Sequence, residues 1–247
     1  MNRRKFLEAL EIKTVFTVTL FGYVIPITET VIVSWVVMGL IIIAAFLATR
    51  NLQKVPRGVQ TLVETAVEFL NNFCKNQFGP WAKYFSSYIG TLFLFLVTAN
   101  IIGVLSPVEV SCFGFHFEPP FIVKPPTRDI NVTAPLALVT MGMVLFCGIG
   151  KRGVGGWAKH LLHPMPVMLP FNVMDYGTRL LSLSLRLFGN ILGGFVLMRM
   201  IESILPLAVP MIFSLYFDFF DGLVQASIFV FLTCMYLSEA VTVEEHE

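Results

Sequence analysis

Charge is what this chain lacks. Only 13% of its 247 residues are Asp, Glu, Lys or Arg, while 56% are hydrophobic. That is too little polar surface to coat a soluble globule of this size. No basic stripe with interleaved aromatics is present, and 17 Lys/Arg against 16 Asp/Glu leave a net +1, which excludes nucleic acid as an expected partner. Cys74, Cys112, Cys147 and Cys234 form no CxxC pair and mostly sit in apolar surroundings, so they read as free thiols, with neither disulfide nor metal expected. The N-terminus mixes Glu8, Glu11 and Lys13 into its apolar residues and so lacks the clean apolar run of a cleaved signal. It is expected to be a retained amphipathic end.

Long apolar runs take the place of charge. Stretches near or above the ~18 residues needed to cross a hydrocarbon core recur along the chain. They predict an all-α integral membrane protein with about five spans in a single membrane domain covering 1–247. The spans are expected near 28–49, 84–105, 130–149, 171–204 and 209–240. Between the first two, Val59, Leu62, Val63, Ala66, Val67 and Leu70 recur at helical spacing with Gln60, Glu64, Glu68 and Asn71 between them. This predicts an amphipathic helix over about 57–77 lying along the interface. The proline-rich stretch from Ser106 to Asp129 is expected as an exposed loop, and Gly150 to Gly156 as a basic turn. Proline-rich residues from His160 to Pro170 delay the fourth helix, which is too long for an upright crossing and must tilt, bend or run along the surface. Pro206 and Pro210 are expected to mark a tight return into the fifth. Arg50, Lys54, Arg57, Lys75, Lys83, Lys151, Arg152 and Lys159 place the first and third loops in the cytoplasm, but Arg3, Arg4, Lys5 and Lys13 pull the N-terminus to that side too.

The last two spans carry ionisable residues that membrane segments otherwise avoid: Asp175, Arg179, Arg186, Arg199, Glu202, Asp218 and Asp221. Each costs ~2.5–3.5 kcal/mol at membrane depth on insertion scales, so such groups face a partner or a water-filled path. Asp175, Arg179, Arg186 and Asn190 are four, seven and four positions apart, which at about 100° per residue forms a single stripe. Asp175 and Arg179 also have the order of a favourable structural pair, so Arg179 is either a path group or a salt-bridge partner. Folding the hairpin about Pro206 gives partners numbered to sum to roughly 411, with Arg186 opposite Gln225, Asn190 near Asp221 and Gly193 near Asp218. Interhelical hydrogen bonding, worth ~0.6–2 kcal/mol, accounts for Gln225 and Asn190. It does not account for Asp218 and Asp221, which suit proton-accepting way-stations.

His160 and His163 lack an evident third ligand, and Leu197, Met198 and Met200 read as packing, with Gly193 and Gly194 allowing close helix approach. A secondary transporter would show two related halves, and none is visible. An intramembrane enzyme would need motifs such as HExxH or GxSxG, which are absent.

The run Leu181-Ser-Leu-Ser-Leu-Arg186-Leu-Phe-Gly-Asn190 resembles the a subunit of F-type ATP synthases. So do Gln225-Ala-Ser-Ile-Phe with Tyr236, the closing Glu244-Glu-His, and Pro126-Thr-Arg-Asp-Ile-Asn-Val-Thr133. The resemblance implies that Arg186 is the stator arginine facing the carboxylates of a rotating c-ring, with b-type stalk subunits and the F1 sector as further partners. It implies no cofactor, catalysis on other subunits, and a bacterial plasma membrane, with a thylakoid membrane as the other candidate. The family often has a carboxylate or histidine nine residues after the arginine, where Phe195 stands here. Asp218, seven residues before Gln225 and close to Asp221, is expected to supply that group for the outer half-channel. Asn172, Asp175 and Arg179 then fall toward the inner half-channel, and Glu202 at the outer mouth or in the interface.

Overall fold

The computed structural model describes residues 14–20, 23–50, 52–103, 110–112, 115–117, 125–162, 165, 167, 169–204, 213 and 215–241. Two short strands open it. Thr14–Leu20 (β1) mixes threonine with valine, phenylalanine and leucine and pairs antiparallel with Tyr23–Thr28 (β2), Leu20 opposite Tyr23. β-branched and aromatic residues of this kind suit a pleated surface. Thr28 leads directly into α1, Glu29–Thr49, which is uncharged after Glu29 and leaves Trp35, Val36, Ile42, Ile43 and Phe46 exposed, the surface a lipid-facing helix offers.

Helix α2, Val59–Phe78, is bracketed by Gly58 and Gly79, both at positive φ. Glycine takes up that conformation without penalty, so the chain turns sharply at each end. Val59, Leu62 and Phe69 are 76%, 72% and 69% exposed, an apolar flank turned outward as in a helix lying in the interface. A 3₁₀ turn, Gly79–Trp81, joins it to α3, Ala82–Ile101. Along α3 the buried residues Ala82, Phe85, Ile89, Leu92, Leu96 and Ala99 recur every three or four positions, a single inward stripe.

Strands Val110–Cys112 (β3) and Phe115–Phe117 (β4) pair antiparallel within the stretch expected as loop. A 3₁₀ turn, Pro126–Arg128, leads into α4, Ile130–Leu162. The exposed-loop expectation fails at this turn, where Pro126, Thr127, Arg128 and Asp129 are all buried. The glycine-rich turn expected over 150–156 contracts to Gly153 alone (φ 70°, ψ 163°), with helix on both sides. Helix α5 spans Leu169–Ile204, 36 residues, with Pro170 in its first turn, where a missing N–H is harmless. Its length of about 54 Å exceeds a ~30 Å hydrocarbon core, as a tilted or bent helix requires. The expected return at Pro206 and Pro210 lies outside the described residues. The final span is not one regular helix. A π-helical segment, Leu215–Asp221, precedes α6, Gly222–Val241.

Among the described residues, five helical stretches are long and apolar enough to cross a bilayer: Glu29–Thr49, Val59–Ile101, Ile130–Trp157, Leu169–Met198 and Phe219–Val241. The protein is a multi-pass membrane protein whose spans are all helical, with the two short strand pairs β1–β2 and β3–β4 beside them. Its chain is gathered into two compact units. One comprises Met1–Leu47, Leu94–Val132 and Phe188–Ala226, and the other Ala48–Phe93, Thr133–Leu187 and Ser227–Glu247.

In the first unit a buried carboxylate ties α1 to α4. Asp129 is fully buried; its Oδ2 accepts the hydroxyls of Thr30 (2.6 Å) and Thr28 (3.3 Å), and its Oδ1 accepts the backbone N–H of Asn131 (2.9 Å). The last of these is an N-cap, satisfying one of the free donors that open α4. In the second unit Tyr88 and Thr140 join α3 to α4 through their hydroxyls (3.0 Å), Ser238 donates to the Gln77 carbonyl (2.9 Å), and Phe73 meets Phe231. Cys74 and Cys234 are buried and Cys147 half-buried, all three as free thiols.

Candidate functional site

Helix α5 carries most of the polar residues that the sequence singles out. In the second unit Arg179 is the centre of a charged cluster. Its Nη2 lies 2.7 Å from Asp175 Oδ2, the pair anticipated from spacing. Its two terminal nitrogens also grip both oxygens of Glu239, Nη1 to Oε2 at 2.6 Å and Nη2 to Oε1 at 3.0 Å, and the guanidinium lies over the Tyr236 ring at 4.9 Å. A planar fork meeting a carboxylate in two parallel bonds is the strongest form such a pair takes. Asn172, two turns before Arg179, donates to the Leu161 carbonyl at 2.8 Å. It satisfies one of the carbonyls left open at the end of α4.

Arg186 lies midway along α5, seventeen residues in from Leu169 and eighteen from Ile204. The neighbouring Leu183, Ser184 and Leu187 are buried, whereas Arg186 is exposed and makes no ion pair among the described residues. A guanidinium stays charged at any relevant pH. Held outward at the middle of a spanning helix, such a charge requires an anionic partner or a wet surface.

In the first unit Asn190 Nδ2 donates to Asp221 Oδ2 at 2.8 Å, the pairing that the hairpin register placed together. Asp221 closes the π-helical segment. In the wider π turn Asp218 and Asp221 are set further apart around the axis than one α turn would set them. The next residue, Gly222, is locked in place. Its carbonyl accepts Asn100 Nδ2 at 3.0 Å, Asn100 Oδ1 accepts the Thr127 hydroxyl at 2.6 Å, and a Cβ on Gly222 would stand 2.9 Å from Asn100 Cβ. Gln225 is buried, and its Nε2 has no acceptor among the described residues. Phe195 holds a cation: the buried Arg128 guanidinium sits 3.6 Å from its ring centroid. The side chains of Arg199, Glu202, Asp218 and His160 and the whole of His163 lie outside what is described. No group of three metal-ligating side chains occurs among the described residues.

Three participants escaped the sequence reading. Glu239 falls inside the expected fifth span and is not among the charged residues singled out there, although an acid in the last turn of a span has the same need for a partner as Asp218. Asn100 and Thr127 are polar residues beside or within apolar runs, a signal for interhelical bonding.

The family model described as ATP synthase A chain matches residues 31–238. A sodium-ion-specific ATP synthase subunit a from Propionigenium modestum is 35% identical over 219 residues, 89% of this chain and 76% of that one. On both counts this chain, an ion-translocating membrane subunit, belongs to the ATP synthase A chain family.

Proposed function

We propose that the chain is the stator subunit of a rotary ATP synthase, a single membrane domain that offers two aqueous half-channels to the carboxylates of a rotating c-ring. The observation that carries this reading is the exposed guanidinium of Arg186 at the midpoint of a spanning helix, without an ion pair among the described residues. At ~4 Å and an effective dielectric of ~20, such a charge attracts a ring carboxylate by about 4 kcal/mol before desolvation, enough to favour ion release without halting rotation. The same charge repels cations. An ion cannot pass directly between half-channels and rides the ring, each elementary charge gaining ~2.3 kcal/mol per 100 mV.

Asn190, Asp221, Gln225 and Asp218 serve the outer half-channel in this reading, with Glu202 at its mouth, and Asn172, Asp175 and Arg179 the inner one. The hydrogen bond from Asn190 to Asp221 supports the first assignment, and the charged cluster on Arg179 supports the second. The c-ring, the b-type peripheral stalk and, through it, the F1 sector are the partners, in a bacterial plasma membrane. Catalysis belongs to the other subunits. The ion is a proton or sodium, and the relative's sodium specificity makes sodium the first to test. ATP-driven ion uptake into vesicles carrying the Arg186→Ala complex, with and without sodium, tests the reading. Loss of coupled uptake is the expected result, and retained coupling overturns it.

A further inference from the structure

Beside the Arg179 cluster the second unit holds a cavity of about 20 Å³, lined among others by Arg152, Trp157, Tyr176, Arg179, Tyr236 and Glu239. A water needs roughly 10–15 Å³ of such space and two to four polar partners. The partners are present. Trp157 follows the break at Gly153 and tilts against Tyr176, with ring centroids 6.5 Å apart. Its Nε1–H is buried with no acceptor among the described residues. Indole donates and cannot accept, so whatever meets this group must bring a lone pair. Glu239 uses one lone pair on each oxygen for Arg179 and has others free, and its side chain is 54% exposed, open on one side while held on the other.

Among the charged groups here, Arg152 and Arg179 cannot release a proton. Asp175 pairs with Arg179 but does not line the cavity. Glu239 is the one acid in the lining able to take an ion and return it.

We propose that this cavity is a water-binding node on the inner ion path, where Glu239 takes up and releases the ion, Arg179 fixes its position as a constant counter-charge, and Trp157 is the positioning residue that orients the water. This deepens the function proposed above and rests on it. For a proton, an O–H bond forms on a Glu239 oxygen as one breaks on a protonated water, and release reverses both. For sodium, the same oxygen and the water are two of its oxygen ligands.

The test uses the whole complex in inverted membrane vesicles, with ATP-driven uptake and passive flux after removal of the soluble sector as readouts. Glu239→Gln is expected to lower both at least tenfold and Glu239→Asp to restore part of the loss. Trp157→Phe is expected to lower maximal flux several-fold at an unchanged half-saturating ion concentration. Ala240→Cys, in a background without Cys74, Cys112, Cys147 and Cys234, leaves every polar group in place, so it decides the matter even if Glu239→Gln fails to assemble. Silver ions added on the inner-channel side should then block flux. Assembled Glu239→Gln and Trp157→Phe complexes with normal flux, or silver-insensitive Ala240→Cys flux, overturn the proposal. Arg186→Ala run in parallel separates the two failures, since retained coupling there sinks the parent reading, whereas its loss beside unaffected cavity variants sinks this one alone.

Discussion

Asp221 and Glu239 are both carboxylates on the last span, yet they are held in opposite ways. Asp221 takes one hydrogen bond from a neutral amide, Asn190. Glu239 is clasped by a guanidinium through both oxygens, and that guanidinium also serves Asp175. A single neutral donor lets a carboxylate exchange partners easily, whereas a charged fork keeps its position fixed. Two acids of the same chemistry are thus set for different work by their donors.

The comparison can be broken first at the backbone. Gly222→Ala drives a methyl group into Asn100, displacing the residue after Asp221. We expect a loss of ~2 kcal/mol, the range of overpacking a close contact, visible as lower thermal stability of the solubilised complex. Asp221→Asn next tests the carboxylate itself. It keeps a hydrogen-bonding group for Asn190, so stability should hold while ion-driven ATP synthesis falls roughly tenfold, short of the ~10²–10⁴ of a sole proton-transfer group because Asp218 remains. Normal synthesis in that variant would remove Asp221 from the path. Arg179→Gln opens the fork and leaves two half-exposed acids unpaired. With solvent screening, we expect ~1 kcal/mol of destabilisation, measurable by chemical denaturation. Asp175→Asn is the mildest change, since Glu239 retains the guanidinium. A loss of ~0.5 kcal/mol or less is expected, and a larger one would mean that Asp175, not Glu239, anchors the cluster.

The spans were legible because uncharged runs of this length admit few other structures in a bilayer, and Asn190 meets Asp221 because an antiparallel hairpin leaves little freedom of register. The misses have physical causes. Membrane helices tolerate glycine, so of the run from 150 to 156 only Gly153 breaks the helix. Prolines from 119 to 126 suggested exposure, but Thr127 and Asp129 find partners and bury the turn that they share. The strand at Thr14–Leu20 alternates threonine with apolar residues only from Phe16 to Leu20, too short a run to mark it by itself, although its valine, threonine and phenylalanine content suits a strand. The π-helical segment had no such signal, because a wider turn follows from packing and leaves no pattern in composition. Glu239 shows that a lone acid at the end of a span carries no sequence sign of its partner on another helix.

The break at Gly153 gives one peptide unit control over everything downstream in α4. Its φ of 70° is open to glycine and strained for any residue with a side chain. The heading of the last nine residues, and with it the pose of the Trp157 indole, is therefore set by a swivel that carries no side chain of its own. Evolution could re-aim that terminal rod by altering this joint while leaving the membrane-crossing part of the helix intact.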